Sequence, residues 1–334
     1  MGLPLTVTVD QAGRERALGA FVSSCVGEPV TVRDLAPIVS VGNAREPWAF
    51  TALWGDQNVN AVLLLKAAAG QVEADLSTEF RTIAQLGSTD VPVPRALWLD
   101  ENGSALGQPF FATEHVPGTA STRILRRPED HATVAVLARQ LAAAAARLHL
   151  VDPEPFTHLA PAETESTALA QLGLWEDRFR RHRLEPHPEL VYLFTWLRRR
   201  PPTARRISVV HGDLRFGNLL YDGDQLTALL DWEMVHLGDP VEDLAWVYRS
   251  LWTPAGSLPF DEFLAAYAAA GGHMPDREHL RWYQVFAEVK HSTISLTASR
   301  TFTDEATPQL RHADRAATVP AFVAHALELV NAAC

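Results

Sequence analysis

Residues 209–246 read VVHGDLRFGNLLYDGDQLTALLDWEMVHLGDPVEDLAW, and this stretch decides both fold and chemistry. An apolar run ends at Val210, and Asp213 follows in a loop. Asn218 comes five residues after it. A second apolar run, Leu226 to Leu230, leads into Asp231. The turn residues Asp222-Gly223-Asp224 fold the chain back, so Asp231 is expected to return beside the loop that holds Asp213 and Asn218. Two carboxylates and one amide then converge with their oxygens on one place. Hard oxygen ligands of this kind suit magnesium, which keeps several waters and takes one or two carboxylates plus substrate phosphates. Capping of turns is the plainer role for any one of these residues. Turn chemistry does not, however, require the whole ordered set.

Outward from this segment the periodicity gives a strand-rich first third. Residues 11–26 read as a helix with Ala17, Leu18, Phe21, Val22 and Val26 on one stripe. Strands are expected over 30–39, Trp48 to Trp54, Val59 to Lys66, Arg95 to Leu99 and Pro109 to Val116, with a helix from Asp75 to Leu86. After Pro117-Gly118 the character changes. Glu129 to Leu150 reads as a long Ala-rich helix, and two further helical stretches precede residue 200. Ile207 to Val210 and Leu226 to Leu230 read as a short strand pair, and helices fill the chain from Leu244 onward. The expected class is α+β: a small strand-rich lobe, then a larger helical lobe with a β-hairpin at its heart.

HGDLRFGN followed by LLDWE resembles the aminoglycoside phosphotransferase family of the kinase-like superfamily. That family carries HGDxxxxN where protein kinases have HRDxxxxN. The resemblance runs from about residue 13 to the end and is nearest to the branch that continues GDPxxDLAW, here Gly238 to Trp246. That branch includes kinase-like domains found with acyl-CoA dehydrogenases. The resemblance implies a two-lobed protein-kinase-like fold. Residues 1–117 would form a small antiparallel-sheet lobe for the nucleotide, and 118–334 a mostly helical lobe for catalysis and the acceptor. It implies Asp213 as the catalytic base, Arg215 as a cation on the transferring phosphate, and Asn218 and Asp231 as magnesium ligands. His211 reads as a scaffold of the loop, and Asp243 as a partner for the loop's backbone. Glu233 either reaches a metal through water or is structural.

In the first lobe the resemblance implies that Lys66 contacts the α and β phosphates and that Glu79 partners it. The backbone of Glu114 and Val116 would read the adenine at the hinge between lobes. The loop over the phosphates falls at Ser40 to Ala44 and holds one glycine, Gly42, where several would let backbone amides approach. The implied cofactors are ATP, with GTP as the alternative, and Mg²⁺. The implied reaction is transfer of the γ-phosphate to a small-molecule hydroxyl, hydroxyacyl-CoA-like or aminoglycoside- and antibiotic-like. Only eleven residues separate Asp231 from Asp243, which leaves no room for a long activation segment and argues against a protein acceptor. Lys290 and His291 are candidate acceptor contacts. The rival reading is a nucleotide-binding pseudokinase, supported by the single-glycine loop. A metal-dependent hydrolase finds no HExxH spacing, and no GxxxxGK[ST] exists for a P-loop enzyme.

Composition fits this reading. The chain has 334 residues, 47% of them hydrophobic and 21% charged, which is globular rather than disordered. Acidic residues number 40 against 29 basic ones, a formal charge of −11, so nonspecific nucleic-acid or anionic-membrane binding is not expected. No apolar run approaches the roughly 18 residues of a membrane span. No basic start leads into an apolar core, so a signal peptide is not expected either, and the expected compartment is the cytoplasm. Two cysteines allow no disulfide framework. Of the 29 basic residues only Lys66 and Lys290 are lysines, which makes a lysine at a strand end less of an accident.

Overall fold

The computed structural model describes residues 11–38, 47–65, 75–304 and 310–332. The chain divides into two compact units. The first lies within Met1–Ala67, Asp75–Ala84 and Pro94–Val116, the second within Ala68–Ala74, Gln85–Val93 and Pro117–Cys334. Among the described residues no helix is long and apolar enough to cross a membrane.

The first unit begins with α1 (Gln11–Val26), then β1 (Thr31–Pro37), β2 (Pro47–Trp54) and β3 (Gln57–Leu65). It continues with α2 (Leu76–Leu86), which runs on into the second unit's sequence, β4 (Ala96–Asp100) and β5 (Phe110–Glu114). The five strands form one antiparallel sheet in the order β1-β2-β3-β5-β4. Alternation builds its core. Phe50 and Ala52, Ala61 and Leu63, and Phe110 and Ala112 are buried in one cluster with Leu18 and Val22 of α1. Successive side chains of a strand point to opposite faces, and Phe110 and Phe111 show it. Phe110 meets Phe21 of α1 at 5.2 Å between ring centroids, while Phe111 meets Phe80 of α2 at 6.1 Å. The sheet is therefore covered by a helix on each face. Trp54 pairs with Gln57, so the turn between β2 and β3 is the two residues Gly55-Asp56, shorter than the four-residue turn the sequence suggests.

The second unit carries α3 (His131–Leu150), α4 (Thr167–His182) and α5 (Pro188–Arg198). Four short strands follow: β6 (Ser208–Val210), β7 (Leu219–Asp222), β8 (Gln225–Leu229) and β9 (His236–Gly238). Helices α6 (Val241–Val247), α7 (Phe260–Ala269), α8 (Arg277–Thr303) and α9 (Val319–Asn331) complete it. Its core gathers Trp175, Phe179, Phe194, Trp246, Trp282 and Phe286 around α8. That helix starts cleanly, because the Asp276 side chain caps it by accepting from the His279 amide at 2.9 Å. It is buried nearly all round, which is why its polar residues Glu288, Lys290 and His291 lie inside rather than on a wet face.

The strand pairing differs from expectation. Ser208–Val210 pairs with β9, and β8 pairs with β7, so the two runs read as partners belong to different two-stranded sheets. The Gly223-Asp224 turn does make the expected hairpin, but between β7 and β8. β9 is three residues long and β7 four, too short for periodicity to register.

Candidate active site

The loop after β6 is tied down from below by Asp243 of α6. Its Oδ2 accepts from the His211 amide at 2.8 Å and its Oδ1 from the Gly212 amide at 2.9 Å. The expected backbone contact of Asp243 is thus present. The His149 Nε2 on α3 lies 3.1 Å from the same Oδ2, and the Tyr267 hydroxyl lies 2.9 Å from His149 Nδ1. Burial opposes ionisation of Asp243, but the His149 bond and the His211 contacts hold its carboxyl below the usual carboxylate range. Gly212 sits at φ +79°, and a Cβ there would collide with the Met234 carbonyl. Only glycine fits that bend. Lys290 closes the loop from α8: its Nζ donates to the Gly212 carbonyl at 2.5 Å and pairs with Glu242 at 2.8 Å.

His211 is fully buried. Its Nδ1 accepts from the Asp213 amide at 3.2 Å, so its proton sits on Nε2, facing the Leu230 carbonyl at 3.1 Å. Burial pushes its pKa down, which keeps it neutral at pH 7. It is a scaffold, as expected: it joins the loop to the strand end that carries Asp231.

Asp213 is held by three donors. Oδ2 accepts from Arg215 Nε at 2.9 Å and Asn218 Nδ2 at 2.7 Å, and Oδ1 accepts from the Trp246 indole at 2.7 Å. Asn218 stands at the end of a 3₁₀ turn, Phe216–Asn218. Its Nδ2 also donates to the Asp213 carbonyl at 2.9 Å, which fixes the sense of the amide. Asn218 Oδ1 is left buried, with no hydrogen-bond partner among the described residues. A buried acceptor without a donor is costly unless something else fills its lone pairs, and a hard cation does so. Asp231 follows directly on a residue bonded to Asn218. The Leu230 amide donates to the Asn218 carbonyl at 2.8 Å, and Asp231 then turns out of the strand at φ +69°. Left-handed backbone in a non-glycine residue collects at functional sites. Among the described residues no group of three or more His, Cys, Asp or Glu is placed to hold a metal ion. An Asn–Asp pair is nonetheless the modest protein contribution that magnesium takes, so Asn218 and Asp231 fit Mg²⁺.

Arg215 sits in a field of carboxylates. Burial works against its charge, but Asp213, then Asp231 and Glu233, outweigh it and raise its pKa. Its guanidinium also lies over the Trp252 ring at 5.6 Å. The second unit thus brings Asp213, Arg215, Asn218 and Asp231 to one place. Sequence reasoning missed the supports His149, Tyr267 and Lys290, which come from three other helices. It assigned no role to Trp246, although that residue closes the DLAW motif. Lys290 and His291, named only as candidates for acceptor contacts, are buried, Lys290 against Gly212 and Glu242 and His291 stacked on Phe322 at 4.6 Å.

In the first unit, Glu79 is buried on α2. Glu114 ends β5, its amide bonded to the Arg95 carbonyl at 2.8 Å, and the His115 amide bonds Asn60 at 2.9 Å before Val116 closes the unit. Gly42 and Lys66 lie outside the described residues.

Comparison with known proteins gives the fold and the family. Mouse acyl-CoA dehydrogenase family member 10 is 29% identical over 186 residues, which is 54% of this chain and 17% of that protein. The chain thus spans less than a fifth of that relative's length. A Ralstonia eutropha protein, solved as a candidate aminoglycoside phosphotransferase, superposes with a TM-score of 0.73 at 19% identity, covering 95% of this chain and 98% of the other. A thermostable mutant of aminoglycoside phosphotransferase APH(4)-Ia, in ternary complex with ADP and hygromycin B, gives 0.62 at 14% identity, with 94% and 98% covered. These likenesses share the fold: an antiparallel-sheet unit and a helical unit of kinase-like type. The sequence profile of the APH group, the phosphotransferase enzyme family, matches residues 49–283, and the chain belongs to that family.

Proposed function

We propose that the chain is an ATP- and Mg²⁺-dependent O-phosphotransferase acting on a small-molecule hydroxyl. The observation that carries it is the state of Asn218. Its Nδ2 is spent twice on Asp213 while its buried Oδ1 has no partner among the described residues. The residue therefore orients a base with one atom and offers a cation an oxygen with the other. Asp213 accepts the proton of the acceptor hydroxyl as that oxygen bonds to the γ-phosphorus, and the bond from phosphorus to the β–γ bridging oxygen breaks to release ADP. Arg215 supplies positive charge for the phosphoryl oxygens. Asn218 and Asp231 would hold Mg²⁺, which would neutralise phosphate charge when bound.

On this reading residues 1–117 serve the nucleotide and 118–334 the chemistry and the acceptor. Lys66, partnered by Glu79, and the loop of Gly42 hold phosphates, and the backbone of Glu114 and Val116 reads the base. We place hydroxyacyl-CoA compounds first among acceptors, ahead of aminoglycosides and macrolides, in line with the acyl-CoA in the mouse relative's name. The test is ADP release from Mg-ATP, and then Mg-GTP, over that panel together with sugars and choline-like alcohols. Asp213→Asn is expected to lower acceptor-dependent release by about 10²-fold or more while nucleotide still binds. Release within tenfold of wild type would overturn the assignment of the base. A wild-type chain that binds nucleotide but never transfers would favour the pseudokinase.

A further inference from the structure

The indole of Trp246 is a second, separate hold on Asp213. Asp213 Oδ2 already takes two donors, Arg215 and Asn218, so its lone pairs are filled. Oδ1 takes one donor, the Trp246 Nε1–H at 2.7 Å, and has one lone pair left. We propose that Trp246 is a positioning residue for phosphoryl transfer: it fixes the carboxylate of Asp213 so that the free lone pair of Oδ1 is the one that receives the acceptor's proton. This rests on the phosphotransferase reading above. It adds the proton-accepting atom and the residue that aims it.

The indole is itself clamped. Lys290 Nζ lies over its ring at 4.7 Å and the Arg249 guanidinium at 5.2 Å. The Trp252 indole donates to the Trp246 carbonyl at 2.9 Å. Two cations against one ring face its negative π-cloud, which holds the ring plane and leaves the N–H pointing one way. Lys290 also bonds the Gly212 carbonyl, so one side chain sets both the loop backbone and the ring that aims the base. Without the N–H, the Asp213 carboxylate would still have its two Oδ2 donors but could rotate about its χ2 axis. A base misdirected by a fraction of an ångström loses rate without losing substrate.

Trp246→Phe keeps an aromatic ring beside Lys290 and Arg249 and removes the donor. The control is Trp282→Phe, which removes another buried indole bond, from Trp282 Nε1 to the Leu197 carbonyl at 2.9 Å, far along the chain from the loop. Two measurements decide. In the first, the indole N–H resonance of Trp246 is assigned in a ¹⁵N-tryptophan spectrum by its disappearance in Trp246→Phe. It is expected to shift strongly in Asp213→Asn, and indifference to that change would overturn the bond. In the second, Trp246→Phe is expected to lower kcat by about 10- to 100-fold, with KM for ATP and acceptor within about twofold. Trp282→Phe should lower Tm to a similar degree and leave kcat alone. An unchanged kcat in Trp246→Phe, or an equal fall in Trp282→Phe, would overturn the positioning role. A wild-type chain with no transfer at all would instead bring down the phosphotransferase reading, and with it the positioning role, while the resonance would still report whether the hold on Asp213 exists.

Discussion

Glu242 shows how single residues carry the stability of the loop that holds Asp213. It is the second residue after the GDP motif and is buried beside Lys290 and His236. Burial alone would raise its pKa, yet Lys290 first and His236 next bring it from 4.5 down to about 2. A carboxylate with a depressed folded value adds stability that is complete above its unfolded value and disappears as pH falls toward its folded one. The Glu242 contribution is thus full above pH 4.5 and lost between there and about 2. Denaturant midpoints of wild type and Glu242→Gln should differ most at pH 7 and converge as pH is lowered toward 3. At pH 7 the gap is expected to be about 3–5 kcal/mol, since the change leaves a buried ammonium with less than its full partner. A gap that stays constant down to acid pH would show that the pair is not ionised as described. The same lysine bonds the Gly212 carbonyl, so Glu242→Gln should also loosen the loop that carries Asp213.

At the scale of elements, the site is a set of short pieces pinned by long ones. β6 and β9 are three residues each and cannot stand alone, so α3, α6 and α8 hold the loop between β6 and the 3₁₀ turn through His149, Asp243 and Lys290. Gly212 is where this loop passes closest to the chain entering β9. Gly212→Ala would bring a Cβ against the Met234 carbonyl at a backbone angle that L-residues avoid. The expected cost is about 1–3 kcal/mol, read as a fall in Tm, together with reduced transfer because Asp213 is the next residue. A variant with wild-type Tm would mean that the loop has room the structure does not show. Asp231 reaches its place by the same logic. Leu230 is bonded on one side to Asn218 and on the other to His211, so the end of β8 and the loop are one rigid piece.

At the scale of the whole molecule, the net charge predicts that this chain does not bind polyanions. A formal charge of −11, with 27 arginines and two lysines making up the 29 basic residues, leaves no surplus to release counterions from a duplex. In about 150 mM salt neither duplex DNA nor anionic vesicles should retain the chain; retention with a Kd near or below about 1 µM would contradict this. Nine of the arginines cluster within residues 178–206. Some of them are structural rather than free for a ligand. Arg178 is buried over Trp175 at 4.8 Å, and Arg198 pairs with Glu176.

The sequence by itself determined the class of the fold, and it named Asp213, Arg215, Asn218 and Asp231, which the second unit brings together. Asp213, Asn218 and Asp231 sit at spacings set by one turn and one hairpin, and such local geometry is written in adjacent residues. The alternation of β2, β3 and β5 and the stripe of α1 were legible for the same reason. Tertiary structure alone decided the rest. β6 found its partner in β9 rather than in β8, because three-residue strands carry no period and are chosen by what packs around them. Lys290 went to the underside of the loop rather than to an acceptor, since a residue 77 positions from Asp213 takes its neighbours only when α8 is buried among other helices. Trp246 became a donor to Asp213 by that same packing. Long-range contacts of this kind are set by the shape of the core, and no window of the sequence contains them.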